Sequence, residues 1–169
     1  VHSIRFATDG DLDLLEDIEN DADHLFLDRF QPEEWGPASA GRSRAAHSGF
    51  LLVAIDDQEV VGFAHVLEVV GGAHLEQVAV RVAAGRRGHG GRLVEAALVE
   101  AGRRGHDRLT LRTYADVPWN APFYARLGFA ESEPDGAFLR DLVDVETRLQ
   151  LDRHGRRIQM TAPTRRVPA

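Results

Sequence analysis

Between Leu75 and Tyr114 an apolar segment, LEQVAV, enters a turn that carries Gly85, Gly88, Gly90 and Gly91. An amphipathic stretch follows, and then a second β-rich segment, LTLRTY. A strand, a glycine-rich turn, a helix and a strand in this order form a crossover unit, which makes the helix cover one face of a sheet. Within the helical stretch Leu93, Val94, Ala97, Leu98 and Ala101 fall on one stripe, as a helix lying on a sheet requires. Glycine at the start of such a helix lets the backbone take up positive φ and lets a ligand come close. The first N–H groups of a helix have no partner within it and lie at the positive end of its dipole. With Arg86, Arg87 and Arg92 beside them, these groups suit an anion such as a pyrophosphate.

The rest of the chain builds around this unit. Ser3 to Ala7 reads as a strand, with Thr8 as an N-cap and Asp11 as its capping-box partner. Leu12, Leu15 and Ile18 give one helical face, and a second helix is expected near Asp23 to Arg29, stopping before Pro32. Gln31 to Ser43, which includes Trp35, reads as a loop. Phe50 to Ile55, Glu59 to Val70 and Ala73 to Val80 form an antiparallel meander, turning at Asp56 to Gln58 and at Gly71-Gly72. After the crossover helix, Gly88 to Arg104, come a strand at Arg108 to Tyr114 and a short helix at Asn120 to Leu127 that ends on Gly128. A strand from Phe129, a helix from Ala137 to Leu151 and a strand from Arg156 to Met160 complete the chain. The fold class is α/β: a mixed, mostly antiparallel, twisted sheet with helices on both faces. A single domain over residues 1–161 is expected, with 162–169 as a frayed tail.

Composition narrows the chemistry. The 169 residues include no cysteine, which excludes disulfides, thiolate catalysis and cysteine metal sites. No apolar run reaches membrane-spanning length, so a cytoplasmic protein with no membrane partner is the default. Residues 1–40 hold 11 acidic and 2 basic side chains, and residues 41–169 hold 16 and 18. The acidic first quarter argues against nucleic acid there and suits either a solvated helix surface or a funnel for a cationic partner. All 20 basic residues are arginine, so the chain has no lysine of its own to modify. No two of the eight histidines are three or four residues apart, and no metal site is expected.

Two nucleotide-binding readings of the glycine turn fail. A dinucleotide fingerprint needs glycine where Leu93 stands, and a Walker A loop needs lysine and Ser/Thr where Gly91 and Arg92 stand. With the segment NAPFYARLGF, the turn instead resembles the GCN5-related N-acetyltransferase superfamily. Gly88 and Gly90 match the superfamily's Arg/Gln-x-x-Gly-x-Gly/Ala pattern. Gly85 replaces its Arg/Gln, and Val82 stands where a proline is common. The resemblance implies acetyl-CoA as co-substrate, with the pyrophosphate at Arg86, Arg87, Gly88, His89, Gly90 and Gly91 and the pantetheine arm along Val78, Ala79 and Val80. The N–H near Val78 would be the oxyanion donor. Asn120 would hydrogen-bond the cofactor arm, and Tyr124 would protonate the departing thiolate, directly or through water.

Side chains alternate along a strand, so His74, Glu76, Val78 and Val80 share one face. An ammonium acceptor must lose a proton before it attacks, and either Glu76 or His74 can take it; Glu76 is preferred. The function implied is transfer of an acetyl group from acetyl-CoA to a primary amine by direct attack in a ternary complex. The acceptor would be a small, cationic amine bound by Leu12 to Trp35 and Tyr114 to Pro118. A protein lysine or N-terminal acetyltransferase, and a non-catalytic acyl-CoA-binding module, stand as alternatives. Homodimers are common in the superfamily, and the sequence does not choose an oligomeric state.

Overall fold

The computed structural model describes residues 2–166. Seven strands, β1 (His2–Phe6), β2 (Gly49–Asp56), β3 (Glu59–Val69), β4 (Gly72–Val80), β5 (Arg108–Tyr114), β6 (Ala130–Ser132) and β7 (Arg157–Pro163), are hydrogen-bonded in the order β1-β2-β3-β4-β5-β7-β6. The sheet is open and mostly antiparallel, and β4 with β5 is its parallel pair. Among the described residues five helices accompany it: α1 (Leu12–Phe30), α2 (Gly41–Ala45), α3 (His89–Arg103), α4 (Ala121–Arg126) and α5 (Ala137–Arg148). The fold is therefore the mixed α/β class expected. Among the described residues no helix is long and apolar enough to cross a membrane. The chain forms two compact units, one of Val1–Leu67 with Glu76–Ala97 and one of Glu68–Leu75 with Leu98–Ala169.

In the first unit Leu12, Leu15 and Ile18 of α1 are buried against Leu51, Val53, Phe63 and Ala79. The helix start is fixed by Asp11, whose Oδ2 accepts from the Thr8 backbone N–H at 2.7 Å and the Thr8 hydroxyl at 2.9 Å. Arg5 grips both oxygens of the same carboxylate at 2.6 and 3.0 Å. α1 is continuous, where the sequence suggested two helices. Its middle holds no glycine or proline, and Asn20 turns outward to accept from the Ala38 N–H at 3.1 Å instead of breaking the helix. The helix ends where Gln31 adopts φ 45° and bonds back to the Leu27 carbonyl, just before Pro32.

α2 starts inside the stretch expected to be loop and runs two residues past its end at Ser43. Five residues are too few to show a helical period, so this element had no signature. A Cβ on Gly41 would collide with the Leu12 carbonyl, so glycine allows α2 to meet the start of α1. The β2–β3 hairpin turns through Asp57 and Gln58, both left-handed with φ 46° and 72°. At Gly62 the backbone of β3 approaches β4 so closely that a Cβ would lie 2.8 Å from the Ala79 carbonyl oxygen.

In the second unit residues 73–75 of β4 pair in parallel with 109–111 of β5, as the crossover through α3 requires. β7 runs antiparallel to all of β5, from Arg108 opposite Pro163 to Tyr114 opposite Arg157, and β6 adds to its other side. β7 thus reaches past the expected start of a frayed tail. Ala162 is buried, and the Thr164 and Arg165 N–H groups bond to the Asp107 and Leu98 carbonyls at 3.0 and 3.2 Å. Residues 167–169 of that tail lie outside the described residues. α5 is shorter than expected, ending at Arg148, and a 3-10 turn covers Leu151–His154.

Glu146 of α5 joins this helix to the sheet by accepting from Arg112 at 2.7 Å and from Arg157 at 2.5 Å. Its burial would raise its pKa, but the two guanidinium groups overcome that and hold the carboxyl below its ordinary range. Glu146→Ala would leave two largely buried cations without a counter-charge. It is expected to destabilise the protein by about 3–5 kcal/mol in urea unfolding. A loss under about 1 kcal/mol would mean the three charges contribute no more than a surface ion pair.

Candidate functional site: the glycine turn and its neighbours

The turn from β4 into α3 is built within the first unit. Residues 82–84 make a single 3-10 turn, and the Val82 N–H donates to Asp21 Oδ2 of α1 at 2.7 Å. Arg86 then takes φ 61° and Gly88 φ 84°, both left-handed. An arginine in that region carries strain that a glycine does not. α3 starts at His89, and its first bond back runs from the Arg92 N–H to the Gly88 carbonyl at 3.1 Å. Helical geometry therefore leaves the N–H groups of His89, Gly90 and Gly91 without partners inside α3. The stripe beneath them is buried as expected, with Leu93, Val94, Ala97 and Ala101 at 0% exposure.

The side chains of the turn divide into two groups. Arg86 and Arg92 are exposed. His89 is buried, and its Nε2 lies 3.1 Å from Asp56 Oδ2 at the end of β2. Arg87 reaches the same oxygen at 3.0 Å, and His2 Nδ1 lies 3.0 Å from Asp56 Oδ1. Burial would raise the Asp56 carboxyl, but the hydrogen bonds from Arg87 and His89 outweigh it and hold the group low. The His89 ring thus ties the turn to the sheet, and its backbone N–H is one of those without a partner inside α3. Asp56 and His2 had no signal in the sequence, because only the folded strands bring residues 2, 56 and 89 together.

Glu76, Val78, Ala79 and Val80 follow one another along β4 in this unit, with Glu76 exposed, Ala79 buried and Val78 and Val80 half-buried. α1 presents Glu19, which is ion-paired with the buried guanidinium of Arg44. That guanidinium also lies 5.2 Å from the centre of the Phe63 ring. Burial pushes the Glu19 carboxyl up to about 7; Arg44 opposes the shift, and the charges of Asp23 and Glu76 add to it. Asp23 is raised by its own burial, although it accepts from the Trp35 indole at 3.0 Å. Trp35 stacks on Phe26 with ring centres 5.7 Å apart. The acidic bias of the first forty residues thus includes a partly buried group of carboxylates beside an aromatic cluster.

The remaining expected residues lie in the second unit. His74 is buried, with Nδ1 2.9 Å from the Thr110 hydroxyl and its ring 5.3 Å from Phe138. Burial, with the charge of Arg112, lowers its pKa to about 4, so it is neutral at neutral pH and a weak base. Asn120 precedes α4, and its Oδ1 accepts from the Tyr114 N–H at 3.3 Å, which leaves the amide group to donate. Tyr124 sits on α4, half-buried between the rings of Phe123 and Phe129 at 5.0 and 5.7 Å. Its burial pushes the hydroxyl up to about 12 against the opposing charge of Arg157.

Residues 14–129 match the family model described as "Acetyltransferase (GNAT) family". The chain belongs to this acetyltransferase family. It is an acyltransferase, and solved structures share its fold. The ribosomal-protein-S18-alanine N-acetyltransferase of Escherichia coli is 21% identical with a TM-score of 0.68, the match covering 99% of this chain and 97% of that one. The PaiA N-acetyltransferase of Thermoplasma acidophilum, solved with coenzyme A, is 16% identical with a TM-score of 0.69 over 96% and 99% of the two chains. A transcriptional regulator from Bacillus halodurans C-125 is 30% identical over 80% of this chain and 97% of its own, with a TM-score of 0.58.

Because the folded-state pKa of Glu19 is raised, the native acetyltransferase keeps a proton that the unfolded chain releases between roughly pH 4.5 and 7. The stability linked to this proton is complete at low pH and is lost as pH rises through about 7. Unfolding measured from about pH 5 to 8 should show wild-type stability falling relative to Glu19→Gln. Parallel curves would mean that Arg44 keeps Glu19 ionised throughout.

Proposed function

We propose that this acetyltransferase moves an acetyl group from acetyl-CoA to a primary amine by direct attack in a ternary complex. The observation that carries the reading is the left-handed Gly88 leading into a helix whose first N–H groups have no partner within it. A backbone of this shape fits a pyrophosphate, with Arg86 and Arg92 as exposed cations beside it. The coenzyme A bound to the Thermoplasma acidophilum relative supports the same co-substrate.

Acetyl-CoA supplies an activated thioester, and the chain supplies position, charge and protons. The β4 backbone at Val78 to Val80 holds the pantetheine arm as an added strand would be held, and the Val78 N–H stabilises the developing oxyanion. Glu76 accepts the proton that the ammonium acceptor must lose. Its exposure on β4 suits this, whereas His74 is buried and a weak base. As the nitrogen–carbon bond forms and the carbon–sulfur bond breaks, Tyr124 gives its proton to the thiolate and regains one from the second proton that the nitrogen sheds on becoming an amide. The raised pKa of Tyr124 keeps that proton in place at neutral pH. Asn120 donates its amide hydrogens to the cofactor arm.

Glu19 favours a cationic acceptor, since the charges of Asp23 and Glu76 add to its cost of ionisation and an ammonium would relieve it. A small-molecule amine is the acceptor class proposed.

A thermal-shift panel of acetyl-CoA, CoA, NAD and ATP should show stabilisation by the two coenzyme A species alone. No response to acetyl-CoA would remove the basis of the proposal. Tyr124→Phe is expected to lower turnover by at least about tenfold with little change in acetyl-CoA affinity. Unchanged turnover would take Tyr124 out of the mechanism.

A further inference from the structure

We propose that His2, Asp56 and His89 form a binding site for one divalent transition-metal ion of the zinc class. The three residues come from the start of β1, the end of β2 and the first position of α3, and their ligand atoms all lie within 4.8 Å of one another. His2 Nδ1 stands 3.0 Å from Asp56 Oδ1, and His89 Nε2 stands 3.1 Å from Asp56 Oδ2. At the tetrahedral angle, metal–ligand bonds of about 2.0–2.2 Å put neighbouring ligands about 3.3–3.6 Å apart, so the two imidazoles, which now meet different oxygens of Asp56, must shift by a fraction of an ångström or more to share an ion with it. Two imidazoles and one carboxylate are also a chemically suitable set for zinc, with a coordination position left for water.

The site is held in place before any ion binds. Asp56 and His89 are 6% and 2% exposed, and Asp56 is fixed in register opposite Glu59 where the β2–β3 hairpin closes. The rings of His2 and His89 meet edge to face with centres 5.0 Å apart, so both turn toward one carboxylate. His2 is 41% exposed in its side chain and gives an ion a way in.

Arg87 is the competing cation. Its guanidinium donates to Asp56 Oδ2 at 3.0 Å, and its side chain is 58% exposed, so an incoming ion can displace it toward solvent. The ion and Arg87 then exclude one another at Asp56. An ion would clamp β1 and β2 to the glycine turn and release Arg87.

The test uses tag-free chain stripped with a chelator and titrated with zinc chloride, without acetyl-CoA or any activity readout. The expected result is saturable binding at one ion per chain, a raised melting temperature, and visible absorption from cobalt(II) at the same stoichiometry. His2→Ala, which alters an exposed side chain and leaves the core intact, should weaken zinc by at least about tenfold. Arg87→Gln should tighten it by removing the competitor. Absence of a one-to-one binding phase, wild-type affinity in His2→Ala, or no tightening in Arg87→Gln would each overturn the site.

Discussion

The first turn of α3 has backbone donors that its own helix cannot use. This follows from helical geometry, and the sequence turns it to account by putting a left-handed Gly88 before His89 and small residues at Gly90 and Gly91. A side chain at Gly88 would have to adopt a backbone conformation that L-residues avoid, at about 1–2 kcal/mol. The turn is also anchored. The Val82 N–H is bonded to Asp21 of α1, and His89 and Arg87 are bonded to Asp56 of β2. Donors held this way lose little freedom when an anion arrives, which is the condition for a preorganised binding loop.

The charges follow a consistent physical rule. Where a carboxylate is buried with enough donors, as Glu146 is with Arg112 and Arg157, its pKa falls and it serves structure. Where burial exceeds the compensation, as at Glu19 with Arg44 opposed by Asp23 and Glu76, its pKa rises toward neutrality. The second situation is costly for folding, and groups of this kind cluster at functional sites. Tyr124 obeys the same rule, since burial of a phenol favours its neutral, protonated form.

Much of this was legible in the sequence. The strands show alternation or continuous apolar runs, the α3 stripe has a clear helical period, and Gly71, Gly88 and Gly128 all take the positive φ that their turns require. The errors have specific causes. The junction near Asn20 looks like a break because asparagine and aspartate favour turns, yet the Ala38 N–H uses Asn20 as an acceptor and α1 continues. α2 is one short turn of helix fixed by tertiary contact at Gly41. Of the two candidate bases, strand alternation put His74 and Glu76 on one face, and only the fold distinguishes a buried histidine from an exposed glutamate. His89 was legible as part of the turn but its ring was not, because its partner Asp56 lies 33 residues away.

On the function proposed, the backbone at the start of α3 carries co-substrate affinity through the pyrophosphate. The most direct measurement is a calorimetric comparison of acetyl-CoA with acetyl-pantetheine, which keeps the thioester and its arm but lacks the phosphates. Acetyl-pantetheine should bind at least about tenfold more weakly for each charge-assisted hydrogen bond lost. Equal affinity for the two ligands would contradict the claim and leave the glycine turn a structural connection.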